Sequence, residues 1–457
     1  MLGVVPAALL GATWWWSAGV VDDARDAAHP VETAPPALPE VSAPVLSVRR
    51  SPTVLSADVS TNALGDSLDP VAAAMGAESC LVVADDRMTV FDAQGSLPVI
   101  PASNMKILTA AVALEVLGAE RVFTTEIAGA LDGDVVRGDL FLVGGGDPLL
   151  SVGEYPPSQT YPPFNTTSME QLADRIVFAG VRRIEGGIVG DDSRYDDERY
   201  VPTWDSDIPD LEAGPLGALL VNDGRVYPRN ALPGQDPAEA AAEQLQELLE
   251  QRGVSVGGPP RRGARDAAAP VIASIDSVPL SGVIVEMLET SDDNTAELLL
   301  KEIGLQASGA GTRPAGAAAV LATLTSWGVP VDGVVVTDGS GLDRGNRVPC
   351  TTMVAVLERA DAGSPLYDGL PVAAVSGTLE GFFVDTPSAG RLRAKTGTLR
   401  QVKALSGYFD NDAVVPRFSF IINGQAAVDA WPLLWTDVGT ALAAYPAGPD
   451  PAELAPG

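Results

Sequence analysis

Pro101-Ala102-Ser103-Asn104-Met105-Lys106 opens the most informative segment of the chain. The run at 107–117 that follows is apolar on nearly every side and is closed by Gly118, the pattern of a helix buried inside a domain. Ser103 falls in its first turn. Lys106, three residues on, shares that face, which places the two Cβ atoms roughly 5–6 Å apart. A lysine so placed can take the serine proton if it is held as the neutral amine, which needs burial or a second cation nearby. The helix N-terminus also favours negative charge developing at the serine. On its own the spacing is weak, because Ser-x-x-Lys recurs by chance in long chains.

Composition sharpens it. The 457-residue chain has one histidine, His29, in a leader ahead of any folded domain, so hydrolysis here has no imidazole base to use. A histidine-bearing zinc site is disfavoured too, since Cys80 and Cys350 are the remaining soft ligands, and no metal or cofactor is expected. Lysine occurs only at 106, 301, 395 and 403, which makes a lysine at a motif position less a matter of chance. The net charge of -31 and pI near 4.2 exclude the basic footprint of nucleic-acid binding and would repel an anionic membrane surface. The size and the 46% hydrophobic content suit two or three domains with sizeable cores.

Residues 2–21 are uncharged and mostly apolar, and read as a signal peptide or a membrane anchor. The absence of preceding basic residues and the Trp14-Trp15-Trp16 belt favour the anchor. Export to the cell envelope is the expectation either way. Residues 22–52 form a Pro/Ala-rich linker, and 446–457 a flexible tail. In an exported chain Cys80 and Cys350 either pair or stay as two buried thiols.

Residues 77–99 read as a strand hairpin. Between about 129 and 279 the texture shifts to short strands and glycine turns, with a helix at 236–252 capped by Asp236 and started by Pro237, and from about 280 longer helices and strands return. A domain at 53–128 and 280–445, interrupted by an insert at 129–279, explains the order. Gly144-Gly145-Gly146 lacks the spacing of a nucleotide loop and reads as a structural turn. Asp191, Asp192, Asp196, Asp197 and Glu198 lack the glycine and terminal glutamate of an EF-hand loop and read as a solvated acidic loop.

Two further segments complete a constellation. Ser291-Asp292-Asp293-Asn294 precedes a helical run and offers a second hydroxyl and an amide, although alone it reads as a helix cap. Lys395-Thr396-Gly397-Thr398 leads into the strand-like 402–408, where a cation and hydroxyls on a strand edge can hold a carboxylate and glycine admits a ligand backbone. The trio Ser-x-x-Lys, Ser-Asp-Asn and Lys-Thr-Gly in this order is the set found in penicillin-binding proteins and class A β-lactamases.

From about residue 77 to 445 the chain resembles the D-alanyl-D-alanine carboxypeptidase/endopeptidase family, the class C low-molecular-mass penicillin-binding proteins. Besides the trio, the likeness rests on Gly190-Asp191-Asp192-Ser193, Asp338-Gly339-Ser340-Gly341-Leu342 and Gly377-Thr378-Leu379, and on roughly 185 residues between the first two motifs, too many for a compact β-lactamase. The resemblance implies an α/β (α+β) penicillin-binding, β-lactamase-like domain, an antiparallel sheet with helices on both faces, carrying a large α/β insert. It further implies that Ser103 attacks the carbonyl of a terminal D-Ala-D-Ala unit with Lys106 as base. Ser291 would relay a proton to the leaving amine, Lys395 and Thr396 beside Gly397 would orient the substrate carboxylate, and the backbone amides of Ser103 and Thr398 would form the oxyanion hole. Peptidoglycan stem peptides are then the partners and β-lactams the inhibitors.

The family pattern has asparagine where this chain has Asp293. An ionised carboxylate cannot donate to a substrate carbonyl, and its charge favours a protonated Lys106. Either Asn294 reaches in, or Asp293 is protonated or hydrogen-bonded, or turnover is reduced; reduced but real activity is the expectation. The alternatives are a catalytically impaired, penicillin-recognising wall-binding protein and a β-lactamase- or esterase-like hydrolase.

Overall fold

The computed structural model describes residues 53–86, 88–209, 212–224, 236–412 and 414–446. The expected leader, linker and nearly all of the tail lie outside them. In chain order the helix α1 (Thr53–Ala74) precedes the hairpin β1 (Cys80–Ala84) and β2 (Thr89–Ala93), and α2 (Met105–Leu117) follows. Then come β3 (Thr124–Asp132), β4 (Val135–Val143), β5 (Leu150–Ser151), β6 (Thr167–Ser168), α3 (Met169–Phe178), β7 (Arg183–Ile184), β8 (Ile188–Asp191), α4 (Pro237–Gln251), β9 (Ser255–Val256), β10 (Arg261–Arg262) and β11 (Val271–Asp276). The chain continues through α5 (Leu280–Thr290), α6 (Asp293–Ser308), α7 (Arg313–Ser326), α8 (Cys350–Leu357), α9 (Pro365–Asp368), β12 (Leu392–Leu399), β13 (Val402–Phe409), β14 (Arg417–Asn423), α10 (Ala426–Asp429) and α11 (Trp431–Ala444).

The first sheet is antiparallel throughout, in the order β12-β13-β14-β1-β2, so the hairpin from the start of the described chain completes a sheet built mostly from its end. Both faces are covered, which explains why Cys80-Leu81-Val82-Val83-Ala84 is a continuous apolar run rather than an alternating one. Leu81 and Val83 pack with Leu68, Val71, Trp435 and Val438 of α1 and α11. Cys80, Val82 and Ala84 face Cys350 and Val354 of α8. Cys80 and Cys350 form a disulfide, Cα–Cα 5.9 Å, which joins the central strand to the start of α8.

Helix α2 is the axis of the helical layer. Met105, Ile107, Leu108, Ala110, Val112 and Ala113 are fully buried, against Val283, Ile284 and Met287 of α5, Leu299, Leu300 and Ile303 of α6, Val320 and Leu324 of α7, and Met353 and Val356 of α8. A helix apolar all round can be stable only when enclosed in this way. Its first turn therefore has a fixed position relative to the sheet.

The second sheet runs β10-β8-β4-β3-β11, with β7 beside β4 and β9 beside β7, and mixes antiparallel and parallel pairs. Helices α3 and α4 close its core, with Leu172, Ile176, Leu245 and Leu249 packed on Leu140, Leu142 and Ile188. The Gly144-Gly145-Gly146 turn is structural: a Cβ on Gly145 would stand 2.0 Å from the Thr124 carbonyl oxygen. Asp236 caps α4, accepting from the N–H groups of Ala238 (3.0 Å) and Glu239 (3.3 Å). Asp236→Ala is expected to cost about 1–2 kcal/mol, a melting point lower by roughly 1–2 °C in a chain of this size. An unchanged calorimetric transition would refute the cap.

The acidic stretch at 191–198 is not the solvated loop its composition suggests. Asp191 and Asp192 are buried. Asp192 pairs with Arg199 and Arg262, both at 2.7 Å, and Asp191 accepts from the N–H groups of Ser193 and Arg265. Asp196 meets the buried Lys301 at 2.6 Å, and Glu198 meets Arg313 at 2.7 Å, which fastens this stretch to α6 and α7. The compensating cations come from distant parts of the chain, so local spacing could not reveal them.

Candidate active site

Ser103 lies in a 3₁₀ turn, Ala102–Asn104, immediately ahead of α2 rather than inside it. Ala102 has φ +47°, a left-handed value that a non-glycine residue adopts at a cost. The turn is gripped from two sides. Asn104, fully buried, donates to the Lys395 carbonyl (2.8 Å) and accepts from the Ser406 hydroxyl (2.7 Å) in the amide orientation that satisfies both, tying the turn to β12 and β13. Gly341, at φ +90°, packs so closely that a Cβ there would come within 1.9 Å of the Ala102 carbonyl oxygen.

Lys106 is fully buried, and its Nζ has three neighbours: Ser103 Oγ at 3.3 Å, Asp293 Oδ1 at 2.5 Å and the Ser340 carbonyl oxygen at 2.9 Å. Asp293 is the first residue of α6. It arrives there because Ser291, at φ +65°, ends α5 in a left-handed turn and Asp292 caps α6 by accepting from the Thr295 N–H at 3.1 Å. The helix-cap reading of this motif and its place at the site thus both hold. Burial pushes the Asp293 carboxyl up to about 6, against the lowering pull of Lys106.

Asn294 does not reach in. Its Oδ1 accepts from the Gly214 N–H at 2.9 Å and its amide nitrogen points to the Asp223 carbonyl at 3.5 Å. Asp293 itself is hydrogen-bonded to Lys106.

The third segment lies on β12, the edge strand. Lys395 is fully buried, donates to the Thr396 carbonyl at 3.0 Å, and has its amine held well below the usual lysine range by burial and, next, by the charge of Lys106. Thr396 and Thr398 face the cavity, Thr396 donating to the hydroxyl of Thr378 at 2.8 Å and Thr398 accepting from Lys403 at 3.1 Å. Gly397 packs on the serine turn, where an added Cβ would lie 3.0 Å from the Pro101 carbonyl oxygen.

Ser103, Ser291, Asp293, Asn294, Thr396 and Thr398 line one cavity of about 890 Å³, with Lys106 and Lys395 immediately behind its surface. The size exceeds what two alanine residues fill and lies at the upper end for small-molecule sites. Sequence reasoning quoted the segments holding Ser340 and Thr378 without giving either a role. It missed Glu286, whose buried carboxyl accepts from the N–H groups of Phe164 (3.2 Å) and Asn165 (3.0 Å) and is pushed by burial to about 7. It missed the cavity aromatics Tyr155, Phe382 and Trp431 as well. None of these sits in a pattern that spacing could flag.

An antiparallel sheet enclosed by helices, with a serine–lysine turn facing its edge strand, is the architecture of the penicillin-binding, β-lactamase-like proteins. The solved structure of penicillin binding protein 4 from Haemophilus influenzae matches with a TM-score of 0.68 at 21% identity, over 82% of this chain and 98% of that one. The sequence profile of the D-Ala-D-Ala carboxypeptidase 3 (S13) family matches residues 66–234 and 229–432. A D-alanyl-D-alanine carboxypeptidase of Actinomadura sp. (strain R39) is 31% identical over 437 residues, 77% of this chain and 78% of the relative. A carboxypeptidase of Mycobacterium tuberculosis is 32% identical over 355 residues, 73% of this chain and 74% of the relative. The chain belongs to the D-Ala-D-Ala carboxypeptidase 3 (S13) family and is a hydrolase.

Proposed function

We propose that this chain hydrolyses the D-Ala-D-Ala end, or a D-alanyl crosslink, of peptidoglycan stem peptides through an acyl-enzyme on Ser103, in the cell envelope, exported or held there by its N-terminal segment. The observation that carries the reading is the fully buried Lys106 Nζ, 3.3 Å from Ser103 Oγ, in a site that Lys395 backs. As the amine, Lys106 takes the Ser103 proton while Oγ bonds to the carbonyl carbon of the penultimate D-alanine. The backbone amides of Ser103 and Thr398 hold the resulting oxyanion. Ser291 relays the proton to the leaving nitrogen, the C–N bond breaks, and water then attacks the ester and releases Ser103. Lys395 and Thr396 orient the substrate carboxylate. A β-lactam acylates Ser103 by the same attack, its ring C–N bond opening, and leaves slowly.

The second reading, an acylating but slow wall-recognition protein, draws on Asp293, whose contact with Lys106 at 2.5 Å favours the ammonium form. Two measurements decide. The protein is incubated with a pentapeptide ending in D-Ala-D-Ala and free D-alanine is quantified; in parallel, the site labelled by benzylpenicillin is mapped by mass spectrometry. D-alanine release with label on Ser103 is the expected result. Label on Ser103 without turnover of the peptide or of crosslinked cell wall would leave the second reading, and no label on Ser103 would refute both.

A further inference from the structure

The geometry points to Glu297 as a positioning residue for the base, acting through the Ser340 carbonyl. The inference rests on Lys106 being the base and Ser103 the nucleophile. A neutral lysine has two N–H bonds and one lone pair. With Asp293 Oδ1 at 2.5 Å, the Ser340 oxygen at 2.9 Å and Ser103 Oγ at 3.3 Å, the first two take the hydrogens and the lone pair is left for the serine O–H. If the Ser340 carbonyl moves, the amine can rotate about its terminal bond and the lone pair loses its direction.

Glu297 prevents that movement. Its Oε1 accepts at once from the N–H of Gly339 (3.0 Å) and that of Ser340 (2.8 Å), which fixes the plane of the peptide whose neighbour presents the carbonyl. The same helix places Asp293 one turn earlier, so α6 supplies one acceptor to Lys106 directly and holds the second in place. The loop is held on its other side as well, by Thr109, whose hydroxyl donates to the Gly339 carbonyl at 2.7 Å. Asp338 anchors the rest of the loop, accepting from Gly341 and Asp343 N–H, Trp204 and Asn346. Glu297 and Asp338 are both buried; burial raises both carboxyls, and the charge of Asp338 adds to the rise at Glu297, which reaches about 8. Arg313 from α7 feels both charges but spends its own on Glu198 and the Thr337 carbonyl. What Lys106 needs from Glu297 is therefore a fixed oxygen rather than a negative charge.

Glu297→Gln keeps an oxygen at full reach without an ionisable carboxyl, whereas Glu297→Asp keeps the carboxyl and withdraws the oxygen by one methylene. Acylation by a fluorescent penicillin is followed by stopped flow, which separates the dissociation constant of the first complex from the acylation rate constant. Glu297→Asp is expected to lower the rate constant about tenfold, the scale of one lost hydrogen bond, with the dissociation constant little changed, while Glu297→Gln stays within about twofold of the parent. The reverse order, equal rates in all three proteins, or a loss confined to the dissociation constant would overturn the assignment. Labelling that survives in Ser103→Ala would instead refute the nucleophile reading itself.

Discussion

Lys106→Ala is expected to slow acylation of Ser103 by a β-lactam about 10³-fold, within the range that a positioned general base supplies. The single histidine, His29, lies outside the described residues, and the lysines left at the site are Lys395 and Lys403, the latter held on the Thr398 hydroxyl at 3.1 Å. Lys395 donates to the Thr396 carbonyl instead of to Ser103, so it is not placed to substitute. Removing the amine also leaves Asp293 as a mostly buried carboxylate with no cation against it, a cost of several kcal/mol if it stays ionised. Lys106→Met, which restores much of the lost volume, separates the two effects. The methionine variant should fold with a sharp thermal transition and still acylate no faster than the alanine variant. A loss below tenfold in a folded variant would mean that Ser103 is activated by some other group, and the role given to Lys106 would fall.

What could be read from the residues alone follows a physical dividing line. Helix α2 was legible because a segment apolar on every side has few ways to be stable, and the hairpin of β1 and β2 because turn residues separate two short apolar runs. The serine, lysine and threonine motifs were legible because their chemistry demands specific residue types in a fixed order. By contrast, the acidic stretch at 191–198 was misjudged because charge in a sequence does not show its counter-ion, and Arg262 and Lys301 lie far along the chain. Ser340 contributes to the site through a backbone oxygen, which any residue would offer, so no side-chain pattern could announce it. Asn294 shows the complementary limit: an amide next to the expected position was a reasonable stand-in until the fold turned it toward Gly214.

The Asp293 contact leads to the second large effect. Asp293→Asn is expected to raise the acylation rate constant about twentyfold at pH 7.5, the scale expected when one negative charge is removed from beside the amine that takes the serine proton. The charge lies 2.5 Å from the lysine nitrogen and is 12% exposed, so solvent screens little of it. An asparagine keeps an oxygen for one lysine N–H and adds a donor that a substrate carbonyl can use. The sign with pH follows from the Asp293 carboxyl ionising near 6 instead of its ordinary 3.8. Below that value the parent protein already carries a neutral carboxyl, so variant and parent should acylate at similar rates. As the pH rises through about 6 the parent gains the charge and the variant does not, and their rate ratio should climb to its full value by about pH 7. The raised value also means that the fold binds this proton more tightly than the unfolded chain, so its contribution to stability is greatest below 3.8 and is lost between 3.8 and about 6. The variant should therefore lose less stability than the parent over that interval. Rate ratios measured across pH 5 to 8 give the answer directly: a flat ratio would show that the charge does not govern the base, and a large fall in the variant at every pH would show that the carboxylate itself takes part in moving the serine proton.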